Sequence, residues 1–170
     1  MSNCEKTHNF KKDFSRTGRF VLKIVNKLES KETVTQGKFL WLDKKGYFSL
    51  DLSNFLGLTI IRIKCIENAN SGSIKLESIV PFSESVNYIS EYLTQNPVPM
   101  IAIKNWVKNN IEISNNLLNS KSDSIQYFLP DASKNKWSIS SFTRNNINSL
   151  YIENSDNNIA FSLKIILDNQ

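Results

Sequence analysis

Apolar and polar residues alternate with a period of two along most of this chain, a pattern typical of strands with one buried face. In the first half, the alternation predicts five strands, at residues 18–25, 33–42, 47–52, 59–66 and 73–80. The turn DKKG at residues 43–46 places a glycine where a hairpin tolerates a positive φ. Strands this close in sequence, joined by short turns, indicate an antiparallel meander.

The period changes to that of helices in the middle of the chain. Ser83 can cap a first helix, which Pro97 ends, and Pro99 can start a second. The apolar positions of the first are Val86, Ile89, Tyr92 and Leu93, and those of the second are Met100, Ile103, Trp106 and Val107. The Asn- and Ser-rich residues 109–123 predict a loop. Four more strands follow, at residues 124–129, 137–142, 147–153 and 159–167.

The predicted order is therefore five strands, two helices and four strands. A mainly β (α+β) fold satisfies it, with one curved antiparallel sheet covered by the central helices. The 170 residues are enough for one domain, which we place at residues 14–170, after a polar and flexible N-terminal segment at residues 1–13.

Composition and charge narrow the function classes. The chain is 40% hydrophobic and 22% charged, and no apolar run approaches the ~20 residues that span a bilayer. The net charge is +5, but the basic residues are scattered, so a solvated lysine surface is favoured over a nucleic-acid patch.

No signal peptide precedes Cys4, which predicts either a cytosolic protein or a precursor whose first part is missing. Cys65 closes an apolar strand, and a buried free thiol is expected there.

The sequence carries no pattern of catalytic residues. Its single histidine, His8, lies in the N-terminal segment, and no glycine-rich phosphate loop occurs, so we expect neither an enzyme nor a bound cofactor or metal. The strand aromatics fit plain core packing or the lining of an apolar cavity. Stacking on nucleic-acid bases is disfavoured, since Lys23, Lys38 and Lys64 alternate away from the aromatics. In the turn NFLG at residues 54–57, two large apolar residues either fold back or project toward something apolar.

Several short motifs, in this order and spacing, resemble the family of the outer-membrane lipoprotein receptor LolB. They are FSRTGRF at residues 14–20, QGKFLW at 36–41, LSNFLGLT at 52–59, PVPM at 97–100 and IKNWV at 103–107. Trp137 and the terminal strand at 159–168 complete the resemblance. The chain departs from the family pattern at Phe55, where a proline is usual, and at residues 108–110, where Gly and Pro usually follow the tryptophan.

The resemblance implies a half-open β-barrel, covered by helices, that encloses an apolar cavity for acyl chains. Members of the family accept lipoproteins from the periplasmic carrier LolA and insert them into the inner leaflet of the outer membrane, without nucleotide. The residues expected to line the cavity are Phe20, Leu22, Ile24, Phe39, Trp41, Phe48, Leu50, Ile61, Ile63, Met100, Ile103, Trp106 and Phe161. The membrane-insertion loop corresponds to Phe55, Leu56 and Gly57, with Leu56 as the inserting residue.

The resemblance also implies a lipid-anchored, monomeric protein on the periplasmic face of the outer membrane, with Cys4 as the candidate site of lipidation and with no nucleic-acid partner. Two other classes stay open. One is a soluble periplasmic lipid or lipoprotein carrier, and the other is a small basic β module that binds nucleic acid or protein.

Overall fold

A computed structural model describes residues 13–67, 74–81, 87–116, 125–126 and 137–169, which form one antiparallel sheet and two helices. The elements are β1 (Phe14–Asn26), β2 (Lys31–Lys44), β3 (Tyr47–Asn54), β4 (Thr59–Glu67), β5 (Ile74–Pro81), α1 (Asn87–Gln95), α2 (Met100–Asn116), β6 (Ile125–Gln126), β7 (Ser138–Arg144), β8 (Ile147–Ser155) and β9 (Ile159–Leu167). The predicted succession of strands and helices is confirmed.

The sheet consists of two meanders joined through its first and last strands. Its nine strands follow the order β5-β4-β3-β2-β1-β9-β8-β7-β6, and β1 pairs with β9 in an antiparallel register that sets Phe20 opposite Ile165. Strands β5 and β6 lie at the two ends of this order, so the described sheet is open rather than closed into a barrel. This arrangement confirms the predicted mainly β fold with covering helices.

The alternation in sequence becomes the two faces of the sheet. On β1, the buried Phe20, Leu22 and Ile24 alternate with the exposed Arg19 and Lys23. Alternation on β2, β4, β8 and β9 continues this apolar inner face. The helix residues of the same hydrophobic core are Tyr92 and Leu93 of α1 and Met100, Ile103, Trp106 and Val107 of α2. The helices therefore cover the inner face, and burial of these side chains is the main stabilising contribution to the fold. Neither helix, in the part of the chain that the structure describes, is long and apolar enough to cross a membrane.

Two strand glycines are required by close backbone approach rather than by turn geometry. A Cβ atom at Gly18 would lie 2.0 Å from the carbonyl oxygen of Ile166 and 2.4 Å from the Phe39 ring. A Cβ atom at Gly37 would lie 1.9 Å from the carbonyl oxygen of Ser53. Both glycines belong to the motifs that carry the family resemblance. The close packing of adjacent strands explains why these motifs contain glycine at these two positions.

The second helix is longer than the sequence predicted. Residues 109–116 continue α2, and the prediction of a loop over 109–123 is wrong for that stretch. Between Pro99 and Pro130 the chain has no proline or glycine to end a helix. Each asparagine costs only about 0.7 kcal/mol relative to alanine inside a helix, so an Asn-rich segment can remain helical. Ser83, Val86 and residues 117–123 lie outside the described residues.

Cys65 is a buried free thiol on the inner face of β4, as predicted from its apolar strand. Burial raises the pKa of this thiol to about 11, because the apolar surroundings disfavour the thiolate. Since the thiolate is the nucleophile, Cys65 has the character of a core residue rather than of a reactive group.

Candidate functional site

The residues predicted to line an acyl-chain cavity all lie together on the covered inner face of the sheet. Each of them is at most 7% exposed, and all belong to one hydrophobic cluster. Trp41 stacks on Phe48 with ring centroids 5.6 Å apart, and Phe161 packs against the rings of Tyr92 and Trp137. The structure therefore brings the predicted residues into contact with one another, and their role toward acyl chains stays a prediction.

The same cluster contains apolar residues that the prediction of the lining omitted. They are Leu52, Cys65, Tyr92, Leu93, Val98, Val107, Ile139, Leu150, Ile152, Leu163, Ile165 and Leu167. Five of these twelve lie on β8 and β9, where the period-two alternation already predicted a buried face. The sequence did not show that β9 pairs with β1. This pairing places the inner faces of the last strands next to those of the first strands in one sheet.

An open pocket of about 440 Å³ lies over β1, β8 and β9. The small residues Ala160 and Ser162 of β9 form its floor, between Lys23 on one side and Tyr151 and Glu153 on the other. These positions alternate with buried residues and so belong to the outer face of the sheet. The pocket shares only Phe161 with the predicted cavity lining. It is a surface hollow separate from the apolar inner face.

A cluster of charged residues joins α2 to one end of the sheet. Asp43, at the end of β2, is only 2% exposed, and its Oδ2 atom lies 2.5 Å from Lys108 Nζ. Lys104 Nζ lies 3.9 Å from the same oxygen, 3.6 Å from Glu67 and 4.9 Å from the centre of the Phe48 ring. The sequence pattern placed Asp43 in a turn and the lysines on a solvated surface. Instead, the lysines, one helical turn apart, hold α2 against the buried carboxylate.

Removing the charge of Asp43 should weaken the attachment of α2. We expect Asp43→Asn to lower the free energy of unfolding by about 1–3 kcal/mol, because Lys104, which is 14% exposed, and Lys108, which is 34% exposed, lose the buried charge that compensates them. Urea unfolding measures the change. The control is Asp51→Asn, since the partner of Asp51, Arg62, is 47% exposed and can be solvated. That variant should lose no more than about 1 kcal/mol. An equal or smaller loss for Asp43→Asn would show that the cluster does not hold the helix.

Arg16 lies on the inner face of β1, opposite Trp41 on β2, and is 8% exposed. Its Nη2 atom donates to the carbonyl oxygen of Asp168 at 3.2 Å. Burial lowers the pKa of the guanidinium, and the charge of Asp168 acts in the opposite direction. Arg16 Nε and Trp41 Nε1 are buried donors without a hydrogen-bond partner in the described structure. The inner face thus carries N–H groups among its apolar side chains.

The turn between β3 and β4 projects its apolar side chains outward. Phe55 is 68%, Leu56 85% and Leu58 64% exposed. Asn54 Oδ1 accepts hydrogen bonds from the backbone N–H groups of Leu56 and Leu58, both at 3.0 Å, and Gly57 has a φ of 82°. The sequence left open whether Phe55 and Leu56 fold back into the core or project from it. In the structure both side chains project into solvent. Leu58, which the prediction did not include, is part of the same exposed surface.

Comparison with curated proteins finds similar chains in Bordetella. The outer-membrane lipoprotein LolB of Bordetella pertussis is 30% identical over 101 residues, which are 56% of this chain and 47% of the relative. LolB of Bordetella bronchiseptica matches to the same extent, and LolB of Bordetella petrii is 28% identical over 98 residues, or 58% of this chain and 48% of the relative. Over these residues the chain is similar to LolB. It spans about half the length of the LolB proteins that it matches. No family model matches the chain.

The relationship to LolB confirms the resemblance that the motifs indicated. It agrees with the fold, since an open antiparallel sheet covered by two helices is what the LolB resemblance implies. The LolB-like motifs fall at β1, β2, the β3–β4 turn and α2, the elements that form the covered apolar face and the exposed turn.

Proposed function

We propose that this protein, which is similar to LolB, is an outer-membrane lipoprotein receptor, which accepts lipoproteins from the carrier LolA and inserts them into the outer membrane without catalysis. The observation that carries the proposal is the β3–β4 turn, whose Leu56 is 85% exposed in a turn fixed by hydrogen bonds to Asn54. A large apolar side chain held in solvent by an ordered turn is suited to contact with an apolar phase.

The acyl chains would bind on the inner face, among the predicted lining residues. Because α1 and α2 now fill that face, an acyl chain enters only when helix side chains give way. Met100, Ile103 and Trp106 of α2 are the side chains to be displaced, and the flexible thioether of Met100 adapts readily to a new neighbour. Burial of each acyl methylene contributes about 0.8 kcal/mol, which is enough for tight binding of a long chain.

The buried N–H donors of the inner face would bind the polar end of the lipid. Arg16 and Trp41 are opposite one another on paired strands, where side chains lie about 5 Å apart. Ester and amide carbonyl oxygens of a lipidated N-terminus accept hydrogen bonds, and a buried donor gains the most from such an acceptor. We assign these two residues to the orientation of the cargo.

Transfer would proceed by relative affinity. A protein that uses no nucleotide moves its cargo only toward sites of higher affinity, first from LolA to this chain and then from this chain to the bilayer. Leu56, together with Phe55 and Gly57, would enter the membrane and bring the cargo to it. We further propose that the protein is a monomer anchored at the periplasmic face through lipidation of Cys4, which lies outside the described residues.

A reconstituted transfer assay tests the proposal. A fluorescent lipoprotein is loaded onto LolA, incubated with this protein and then exposed to outer-membrane vesicles, and the lipoprotein in each fraction is measured. We expect it to pass from LolA to this protein and then to the membrane. Retention on LolA would contradict the receptor role. Transfer to this protein without delivery to membranes would instead identify a soluble carrier.

A further inference from the structure

A second turn presents a leucine at the same end of the sheet as Leu56. The Leu28 turn, residues 27–30, joins β1 to β2, and the Leu56 turn, residues 55–58, joins β3 to β4. Because successive strands are antiparallel, both turns lie at one end of the sheet. Leu28 is 77% exposed and Leu56 is 85% exposed, the highest values among the large apolar residues that the structure describes.

The two turns have the same local construction. Asn26 Oδ1 accepts hydrogen bonds from the backbone N–H groups of Leu28 and Glu29 at 3.1 and 3.2 Å, as Asn54 Oδ1 does from the Leu56 turn. In each turn the leucine follows the asparagine by two positions. Each turn also has a residue in the left-handed region, Ser30 at a φ of 52° and Gly57 at 82°. Both leucines are therefore held outward by defined turns.

The Leu28 turn is also fixed to the neighbouring β8–β9 turn. The backbone N–H of Lys27 donates to the carbonyl oxygen of Asn158 at 2.8 Å. The Lys27 Nζ atom donates to Ser155 Oγ at 2.7 Å and to the carbonyl oxygen of Asp156 at 2.6 Å. Lys27 thus points back to the sheet while Leu28 points away from it. Because the turn is already ordered, an interaction of Leu28 with a partner costs little additional conformational entropy.

We propose that the Leu28 turn is a second membrane contact, so that a lipid bilayer is bound at Leu28 and Leu56 together. This inference rests on the proposed delivery of lipoproteins to membranes, and it adds the orientation of the protein on the bilayer. The two turns do not project equally far along the strands. Asn54, at the end of β3, pairs with Gly37 near the middle of β2, so residues 31–36 of β2 carry the Leu28 turn about 20 Å beyond the Leu56 turn, at roughly 3.3 Å per residue. A flat bilayer can contact both turns only if the strands are tilted toward its surface.

A bilayer fits these two turns better than a protein partner does. The two leucines are on separate projecting turns, with the charged Lys31 and Glu32 between them on β2, rather than in one continuous groove. A fluid interface accepts each side chain independently and leaves the intervening charges among the headgroups. A protein would need a separate pocket for each leucine, at a fixed distance.

Site-specific fluorescence tests the second contact. A Cys4→Ser background removes the proposed lipid anchor, so that any contact with the membrane is made by the turns themselves. An environment-sensitive dye is attached to Leu28→Cys, Leu56→Cys or Asn145→Cys, and vesicles of phosphatidylethanolamine and phosphatidylglycerol are added. Asn145 lies in the β7–β8 turn at the opposite end of the sheet. The buried Cys65 is not labelled in the folded protein. We expect a blue shift of the emission at positions 28 and 56 and none at position 145.

Each other result has a distinct meaning. A shift at position 56 alone would overturn the second contact and leave the proposed delivery intact, whereas no shift at 28 or 56 would contradict membrane insertion itself. A shift at all positions would overturn an oriented contact. Without a dye, Leu28→Ser should bind the vesicles about tenfold more weakly in co-sedimentation. Ile147→Ser, at an exposed apolar residue of the opposite end, should bind like the wild type.

Discussion

Leu56→Glu should leave the fold and acyl-chain binding unchanged while abolishing the delivery of lipoproteins to membranes. Leu56 contributes nothing to the core, since it is 85% exposed, so the free energy of unfolding should stay within about 0.5 kcal/mol of the wild type. In the membrane, however, a carboxylate replaces an apolar side chain, at a cost on the order of 2–3 kcal/mol. That difference corresponds to roughly a hundredfold loss of productive membrane contact.

Two measurements separate this effect from a general loss of function. Transfer of a fluorescent lipoprotein from LolA to the variant should proceed as in the wild type, and only the second step, to vesicles, should fail. Ile147→Glu is the control, because it places the same charge on an exposed apolar residue at the other end of the sheet, and delivery should persist. If Leu56→Glu still delivers lipoprotein at the wild-type rate, the insertion role assigned to this turn is wrong.

Gly18→Ala should destabilise the fold by about 3 kcal/mol or more. The added methyl group would lie 2.0 Å from the carbonyl oxygen of Ile166 and 2.4 Å from the Phe39 ring. Neither neighbour can move freely, since Ile166 belongs to β9, which pairs with β1, and Phe39 is buried in the core. The strands must separate to accept the methyl group, and such overpacking costs at least 1–3 kcal/mol, with larger values when backbone must move.

The control for this substitution is Gly46→Ala, in the β2–β3 turn. A methyl group there meets nothing within 4 Å, but Gly46 has a φ of 85°, which alanine disfavours. Gly46→Ala should therefore cost about 1 kcal/mol, from backbone strain alone. Urea unfolding of both variants measures the difference. A loss at Gly18 no larger than that at Gly46 would mean that close approach of β1 and β9 is not required.

The periodic pattern predicted much of the fold because most strands have one buried face. The alternation over residues 18–25 predicted a strand with one buried face, and the structure buries Phe20, Leu22 and Ile24 on β1. The Gly46 turn was likewise identified from local composition, and its positive φ agrees. Local signals of this kind depend only on neighbours in sequence, which is why they can be predicted without a structure.

Other features were missed because they depend on distant residues. Asp43 lies in a sequence typical of a turn, but α2 brings Lys104 and Lys108 against it, so that it becomes the buried carboxylate of two ion pairs. Residues 26–31 look like an ordinary polar turn, and the exposure of Leu28 becomes meaningful only beside the similarly built Leu56 turn. The helical continuation of α2 past Asn109 was missed because asparagine favours loops only weakly.

The sequence by itself determined the order of strands and helices, the alternation that indicates a buried face on most strands, the LolB-like motifs and the unusual apolar turn at Leu56. It did so because alternation, turn composition and motif spacing are local properties of the chain. Only the tertiary structure decided that β1 pairs with β9, that Asp43 forms ion pairs with α2, and that Leu28 and Leu56 project from the same end of the sheet. Those features arise from contacts between residues far apart in sequence, whose free energy depends on the assembled sheet.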